Sequence, residues 1–199
     1  MTITYVFEQN LYLNITNRCA NACVFCLRGS TDTVGDSNTL WLEREPTVDE
    51  ILADIFTRDL TKYKSLVFCG FGEPLERLDD VIFIAKNIKE RSNIEIRLNT
   101  NGLADLMYGF NVPPRLKGVI DVISISLNAP TPEEYNKICQ SSFGLKALPA
   151  VLKFANECTR HIDKVILSVV DTIGAEKIEQ CKKLCEEANA IFRVRSYIE

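Results

Sequence analysis

No apolar run in this 199-residue chain approaches the roughly 18 residues that a membrane span needs, so a spanning helix is not expected. The N-terminal stretch MTITYVFEQN lacks a basic segment, an apolar core and a small-residue cleavage site, and the expectation is a cytoplasmic protein without a secretion signal. A surplus of basic charge is also lacking. The chain has 23 Lys and Arg against 27 Asp and Glu, for a net charge of −4, which makes non-specific nucleic-acid binding a poor fit. Internal repeats, low-complexity tracts and Pro/Ser/Gly-rich linkers are absent, so residues 1–199 read as one domain. Histidine is nearly missing, with His161 alone. What is present is a globular balance of 46% hydrophobic and 25% charged residues, which excludes disorder and suffices for a buried core. The unusual abundance is cysteine, at eight. Without a secretion signal these read as thiols or metal ligands, not as a disulfide framework.

Strand-like runs recur, each followed by a helical pattern: LYLNIT (11–16), SLVFCG (65–70), IEIRLN (94–99), VISISLN (122–128), KVILSVVD (164–171) and FRVRSY (192–197). Helices are expected at about 47–59, 77–91, 145–159 and 175–188, with shorter pieces at 103–108 and 131–138. The first has a start signal. Thr47-Val-Asp-Glu50 has the form of a capping box, in which hydroxyl and carboxylate satisfy two orphan amides. Alternation of this kind implies a parallel sheet with helical crossovers. Six strands are too few for a closed eight-stranded barrel, which leaves an open doubly wound sheet or a partial six-stranded barrel. Both place function at the carboxyl ends of the strands.

The unusual residues cluster at those ends. The first strand runs into CANACVFC, whose Cys19, Cys23 and Cys26 can converge on one centre from eight residues of loop. Thiolates suit iron–sulfur clusters and zinc. A structural zinc site is closed and four-coordinate, and His161 lies too far along the chain to be an obvious fourth ligand. Three ligands without a fourth suggest a cluster with one metal position open. The second strand ends in CGFGEP (69–74), where Gly70 and Gly72 allow close backbone approach to a ligand and expose amides. The third ends in NTNG (99–102), which by itself would serve as an Asn-Gly turn. In the fourth, Ser124, Ser126 and Asn128 share one face by alternation, and buried polar side chains there need partners. Ser168 lies on one face of the fifth. Arg193 and Arg195 share a face of the sixth; pointing inward they would need anions, and pointing outward they would blunt an edge strand.

Three cysteines at this spacing, directly after the first strand and with Phe25 before the third, resemble the signature of the radical S-adenosylmethionine (radical SAM) superfamily. The resemblance implies a partial (β/α)6 TIM-like barrel. It also implies a [4Fe–4S] cluster held by Cys19, Cys23 and Cys26, with the open iron chelated by the amino and carboxylate groups of SAM. Reduction would cleave SAM to methionine and a 5′-deoxyadenosyl radical that abstracts hydrogen from substrate. GFGEP is similar to the family's Gly-Gly-Glu-Pro motif at the SAM amino group, stretched by Phe71, so that Gly70, Phe71, Gly72, Glu73 and Pro74 become candidate cofactor contacts. Asn99, Thr100, Ser124, Ser126, Asn128 and Ser168 are candidates for SAM or substrate, and Arg193 and Arg195 for the SAM carboxylate and an acidic substrate group.

Among the other cysteines, Cys69 would line the pocket or pack in the strand core. Cys158 reads as core, and Cys181 and Cys185, four apart, read as a buried helix stripe. Cys139, in ICQSSFG beyond the fourth strand, is expected near the barrel mouth, where its thiol could donate hydrogen to a product radical. The strings SISLNAPTPEEY and FRVRSY look closest to the small radical SAM proteins associated with TatD-family nucleases. That likeness implies a TatD-family nuclease or another large substrate as partner, an electron donor such as flavodoxin or ferredoxin, and a homodimer as one way of covering the barrel mouth. Short relatives also include 7-carboxy-7-deazaguanine synthases, which would want magnesium at Thr31 or Asp32, and glycyl-radical-activating enzymes. From a different class, a non-catalytic iron–sulfur or SAM-binding sensor and a zinc-binding module stay open. The chain is expected to be a minimal, laterally open core without an auxiliary-cluster domain.

Overall fold

The computed structural model describes residues 1–197. Seven strands form one sheet in the order β1 (Thr4–Phe7), β2 (Asn10–Leu13), β3 (Ser65–Phe68), β4 (Glu95–Thr100), β5 (Val122–Ser126), β6 (Lys164–Val170) and β7 (Ile191–Arg195). From β2 onward every pairing is parallel, as the strand–helix alternation requires. Six of the strands are those expected from the sequence. The seventh, β1, is an antiparallel addition joined to β2 by the two-residue turn Glu8-Gln9. Glu8 sits at φ 54°, a position glycine favours, so the turn carries no residue that announces it.

Among the described residues seven helices accompany the strands: α1 (Val48–Phe56), α2 (Leu78–Lys89), α3 (Ala104–Tyr108), α4 (Pro113–Leu116), α5 (Pro132–Cys139), α6 (Ala147–Cys158) and α7 (Ala175–Glu187). The capping box at α1 is formed, with Glu50 N–H donating to Thr47 Oγ1 and Thr47 N–H to Glu50 Oε2. The short α4, begun by two prolines, was not anticipated. No helix among the described residues is long and apolar enough to cross a membrane.

One face of the sheet packs on the helices. Leu66, Phe68, Ile96, Leu98, Ile123, Ile125, Leu167 and Val169 join α2 and α6 side chains such as Ile84, Ile88, Val151 and Phe154 in one continuous core. By alternation the other residues of each strand face the concave side, among them Tyr12, Val67, Arg97, Asn99, Ser124, Ser126, Ser168, Arg193 and Arg195, with the apolar Val122, Ile166 and Val170. The free edge of β1 is covered by the segment after the cysteine loop, where Val6 N–H donates to Asp36 Oδ1 and Asp36 N–H to the Val6 carbonyl. Leu40 from the same segment joins Tyr5 and Phe71 in a second small core.

Candidate functional site

The loop carrying Cys19, Cys23 and Cys26 leaves the carboxyl end of β2 and is clamped from two sides. On one side it docks on the end of α5, with Ala22 N–H donating to the Cys139 carbonyl and Val24 N–H to that of Ile138. On the other it meets CGFGEP. Glu73 N–H donates to the Arg18 carbonyl, and a Cβ on Gly72 would lie 2.3 Å from the Thr16 carbonyl oxygen. A Cβ on Gly70 would overlap Asn14. The two glycines are therefore needed for the close approach of the protein's own backbone. The Phe71 side chain is buried beside Tyr5 and Leu40, with Trp41 edge-on at 5.1 Å. Pro74 is buried at the start of a short 3-10 turn.

Glu73 is the centre of a buried brace. Its carboxylate accepts from Thr100 Oγ1 at 2.7 Å, Asn101 N at 2.7 Å and Leu75 N at 3.0 Å, and the side chain is 4% exposed. Burial pushes its pKa up to about 7 against the opposing pull of those hydrogen bonds. Thr100 faces the helix side, where its hydroxyl donates to Glu73 and accepts from Gly102 N–H. Asn101 carries the brace to the loop, its Nδ2 lying 3.9 Å from Cys19 Sγ.

The three loop thiols are half-buried, whereas Cys139, Cys158, Cys181 and Cys185 are fully buried. Cys19 Sγ accepts from Asn21 N–H at 3.5 Å. Burial, with a smaller contribution from Glu73, pushes its thiol up to about 11. Burial raises Cys26 as well. The Cys23 thiol is raised by its hydrogen bond with Cys139 and then by burial. Arg28, which sequence reasoning passed over, donates to the carbonyls of Asn17 and Asn21 and places a positive charge beside the loop sulfurs. Among the described residues no three Cys, His, Asp or Glu side chains are gathered closely enough to hold a metal as they stand. The donor set nevertheless suits an iron–sulfur cluster: three accessible thiols on one loop, with amide donors aimed at Cys19 and a guanidinium nearby. Cys23 and Cys26, with Phe25 between them half-buried, open on a cavity of about 490 Å³ rimmed by Arg28, Trp41 and Tyr197.

Cys139 is corrected in place. It is the last residue of α5, not part of a loop, and is packed behind Cys23 with Asn128 Nδ2 3.5 Å from its sulfur. Asn128 departs from the expected alternation. Strand β5 stops at Ser126, and Asn128 adopts φ 59° with its Oδ1 buried and unpartnered. Asn21 Oδ1, on the cysteine loop, is also buried without a partner. Ser124 and Ser168 are buried on the concave face, where Ser168 Oγ donates to the Ile125 carbonyl at 3.4 Å, and Ser126 is half-buried beside them. Asn99 faces the same side and accepts from Arg97 Nε at 2.9 Å. Thr31 and Asp32 are engaged within their own loop, with the Thr31 hydroxyl donating to the Thr33 carbonyl and Trp41 Nε1 to Asp32 Oδ1.

Arg193 and Arg195 do point to the concave side. Arg193 is exposed, and Arg195 is half-buried with its Nε buried and without a partner. Burial, together with the neighbouring Arg193 and Arg97, lowers the pKa of Arg195. Arg97 was overlooked in the sequence, although Glu95, Arg97 and Asn99 alternate with Ile96 and Leu98 in IEIRLN and place the polar face there.

Comparison with known proteins gives this geometry its setting. A model of the radical SAM superfamily matches residues 13–185. The chain is 28% identical over 193 residues to the probable GTP 3′,8-cyclase of Methanocaldococcus jannaschii, covering 96% of this chain and 59% of that relative. Over 127 residues it is 35% identical to the dual-specificity RNA methyltransferase RlmN of Pelobacter propionicus, which covers 60% of this chain and 33% of the relative. The chain thus spans under two thirds of the length of these relatives. Its fold matches Streptococcus suis SuiB bound to S-adenosylmethionine with a TM-score of 0.68 at 17% identity, over 97% of this chain and 40% of SuiB. It also matches a radical SAM methyltransferase from Sphaerobacter thermophilus with a TM-score of 0.64 at 18% identity, over 97% and 57% of the two chains. The fold is that of the radical SAM TIM-like barrels. The named relatives are enzymes, and radical SAM enzymes use a [4Fe–4S] cluster, SAM and a reductant. With a three-cysteine loop at the carboxyl end of an open parallel barrel, and a family match over most of its length, the chain belongs to the radical SAM superfamily.

Proposed function

We propose that this chain is a radical SAM enzyme that holds a [4Fe–4S] cluster through Cys19, Cys23 and Cys26 and modifies a substrate bound in the barrel. The observation that carries this reading is the clamped loop: three accessible thiols held at the strand ends by α5 on one side and the Gly72–Glu73 turn on the other. With cluster, SAM and an electron in place, the chemistry supplied is cleavage of SAM to a 5′-deoxyadenosyl radical that takes hydrogen from the substrate. The chain's own residues position and exclude. The Glu73 brace fixes the carboxyl ends of β3 and β4, Asn101 and Arg28 stabilise anionic sulfur, and Trp41 and Tyr197 rim the cavity beside Cys23 and Cys26. Asn99, Ser124, Ser126 and Ser168 present short hydrogen-bonding groups on the concave face for SAM. A flavodoxin or ferredoxin is the proposed reductant. The TatD-like strings support a nuclease partner, which co-purification would test, and a homodimer would show in the mass of the native particle.

Anaerobically reconstituted protein is expected to bind about four irons and to form 5′-deoxyadenosine from SAM with a reductant. Cys19→Ala, Cys23→Ala and Cys26→Ala should each abolish both. Full 5′-deoxyadenosine formation in any of the three variants would sink the proposal.

A further inference from the structure

The concave face holds a concentration of positive charge that the proposed cluster and SAM chemistry leave unexplained. Arg97 on β4 and Arg193 and Arg195 on β7 all project from the lumen parity of their strands. Among the described residues none of them has a carboxylate within ion-pair distance, although ten other ion pairs form across the molecule. The Arg195 Nε is buried and donates to nothing. Arg97 spends its Nε on Asn99, which leaves the outer nitrogens of its guanidinium without a protein partner. The arginines stand near enough for mutual repulsion, since Arg193 and Arg97 both disfavour the charged form of Arg195. Tyr12 approaches from β2 on the same face, close to Arg97 and Arg193, and its hydroxyl makes no hydrogen bond to the protein. Like charges gathered without a counter-ion cost stability, and a bound anion removes that cost.

We propose that Arg97, Arg193, Arg195 and Tyr12 form a lumen site for a phosphoryl group of the substrate. A single carboxylate would offset one of three guanidinium charges. A phosphate monoester carries about two negative charges and three acceptor oxygens, and a diphosphate more, which matches the donors available here. The inference rests on the reading of the barrel as the place where substrate binds, but not on the cluster being loaded. The substrate class it names is a phosphorylated metabolite or nucleotide, with the phosphoryl group anchored toward β4 and β7 and the remainder extending to the cysteine loop.

The probe is inorganic pyrophosphate, titrated calorimetrically into the 199-residue protein with and without saturating SAM, beside succinate as a dicarboxylate of somewhat lower charge. Pyrophosphate is expected to bind in both states, and to bind more tightly than succinate. Arg195→Gln, on the edge strand where the sheet tolerates it, and Arg97→Lys should each weaken pyrophosphate about tenfold, the loss of one charge-assisted contact. Arg160→Gln, on the surface beside Glu157, should leave it unchanged. SAM affinity should be unaffected in the lumen variants. The proposal is overturned if pyrophosphate does not bind, if the lumen variants bind it as the unaltered protein does, if succinate binds more tightly, or if the variants lose SAM instead. Loss of SAM binding would assign the arginines to the SAM carboxylate. Failure of the radical reading would appear separately, as reconstituted protein that forms no 5′-deoxyadenosine.

Discussion

Two polar regions lie near each other at the strand ends and are built on opposite plans. The Glu73 brace is closed: a buried carboxylate accepts three hydrogen bonds from Leu75, Thr100 and Asn101, and glycine backbone fits against residues 14–18 without a gap. The arginine face is open, with three guanidiniums lacking carboxylate partners among the described residues and one buried nitrogen satisfied by nothing. A set of polar groups satisfied within the chain holds shape; a set left unsatisfied points to a ligand from outside. By that criterion Gly70, Gly72, Glu73 and Thr100 brace the cysteine loop, and the proposed recognition surface is the concave face.

The sharpest way to break this comparison is to open the closed region. Gly72→Ala places a methyl 2.3 Å from the Thr16 carbonyl oxygen and 2.7 Å from that of Arg18, both backbone atoms that cannot swing aside. It should cost about 4 kcal/mol, measured by urea unfolding of the cluster-free protein, because overpacking against backbone lies at the upper end of single-residue effects. Gly29→Ala, with nothing within 4 Å of its added methyl, should shift stability by less than about 0.5 kcal/mol. Equal stability of the two variants would remove the argument for a rigid clamp.

Glu73→Gln is next. The amide nitrogen of glutamine cannot accept the Asn101 N–H, and two donors would face each other in a buried position, at a cost of about 3 kcal/mol. The ionisation of Glu73 has its own signature. Its folded pKa of about 7 lies above the ordinary 4.5. The folded state therefore holds a proton that the unfolded state has released, and the contribution to stability is present in full below about pH 4.5 and lost as pH rises through about 7. The loss comes to about 2.5 kcal/mol between pH 5 and 8, at up to about 1.4 kcal/mol per unit. Unfolding curves at the two pH values should show this fall in the unaltered protein and a flatter profile in Glu73→Gln. A rise in stability over that interval would mean that the hydrogen bonds outweigh burial.

Much of this architecture was readable beforehand. Parallel strands buried on the helix side gave clear apolar runs, and six of seven were expected; the capping box at Thr47 formed as read. Strand β1 escaped because its hairpin turn uses Glu8 at a left-handed position where glycine or asparagine would have marked it. The strands at 11–16 and 122–128 stop short, the first after Leu13, where the Asn14 side chain donates to the Thr2 and Leu40 carbonyls, and the second before Asn128, which turns left-handed. The cysteine triple was legible from spacing alone. That Cys139 sits behind Cys23 was not, since the contact depends on how α5 packs against a loop more than a hundred residues earlier. Arg97 could have been found, because the alternation that exposed Ser124 and Ser126 operates identically in IEIRLN.

Arginines themselves give a finer comparison. Arg77 is nearly buried, yet it is closed: it donates to Asp80 and to the carbonyls of Ile15 and Pro46. Arg77→Met should strand those acceptors and cost about 2 kcal/mol. Arg195→Met should do the reverse, since it removes a half-buried charge that repels Arg193 and Arg97 and has no partner to lose. A gain of about 1 kcal/mol is expected, read as a rise in the unfolding midpoint at unchanged slope, together with loss of pyrophosphate binding. Added pyrophosphate should narrow the gap by stabilising the unaltered protein and not the variant. A substitution that strengthens the fold while removing a ligand separates a recognition site from scaffold. If Arg195→Met instead destabilised the protein as Arg77→Met does, β7 would be held by that guanidinium, and the distinction between a closed brace and an open lumen would fail at its most exposed point.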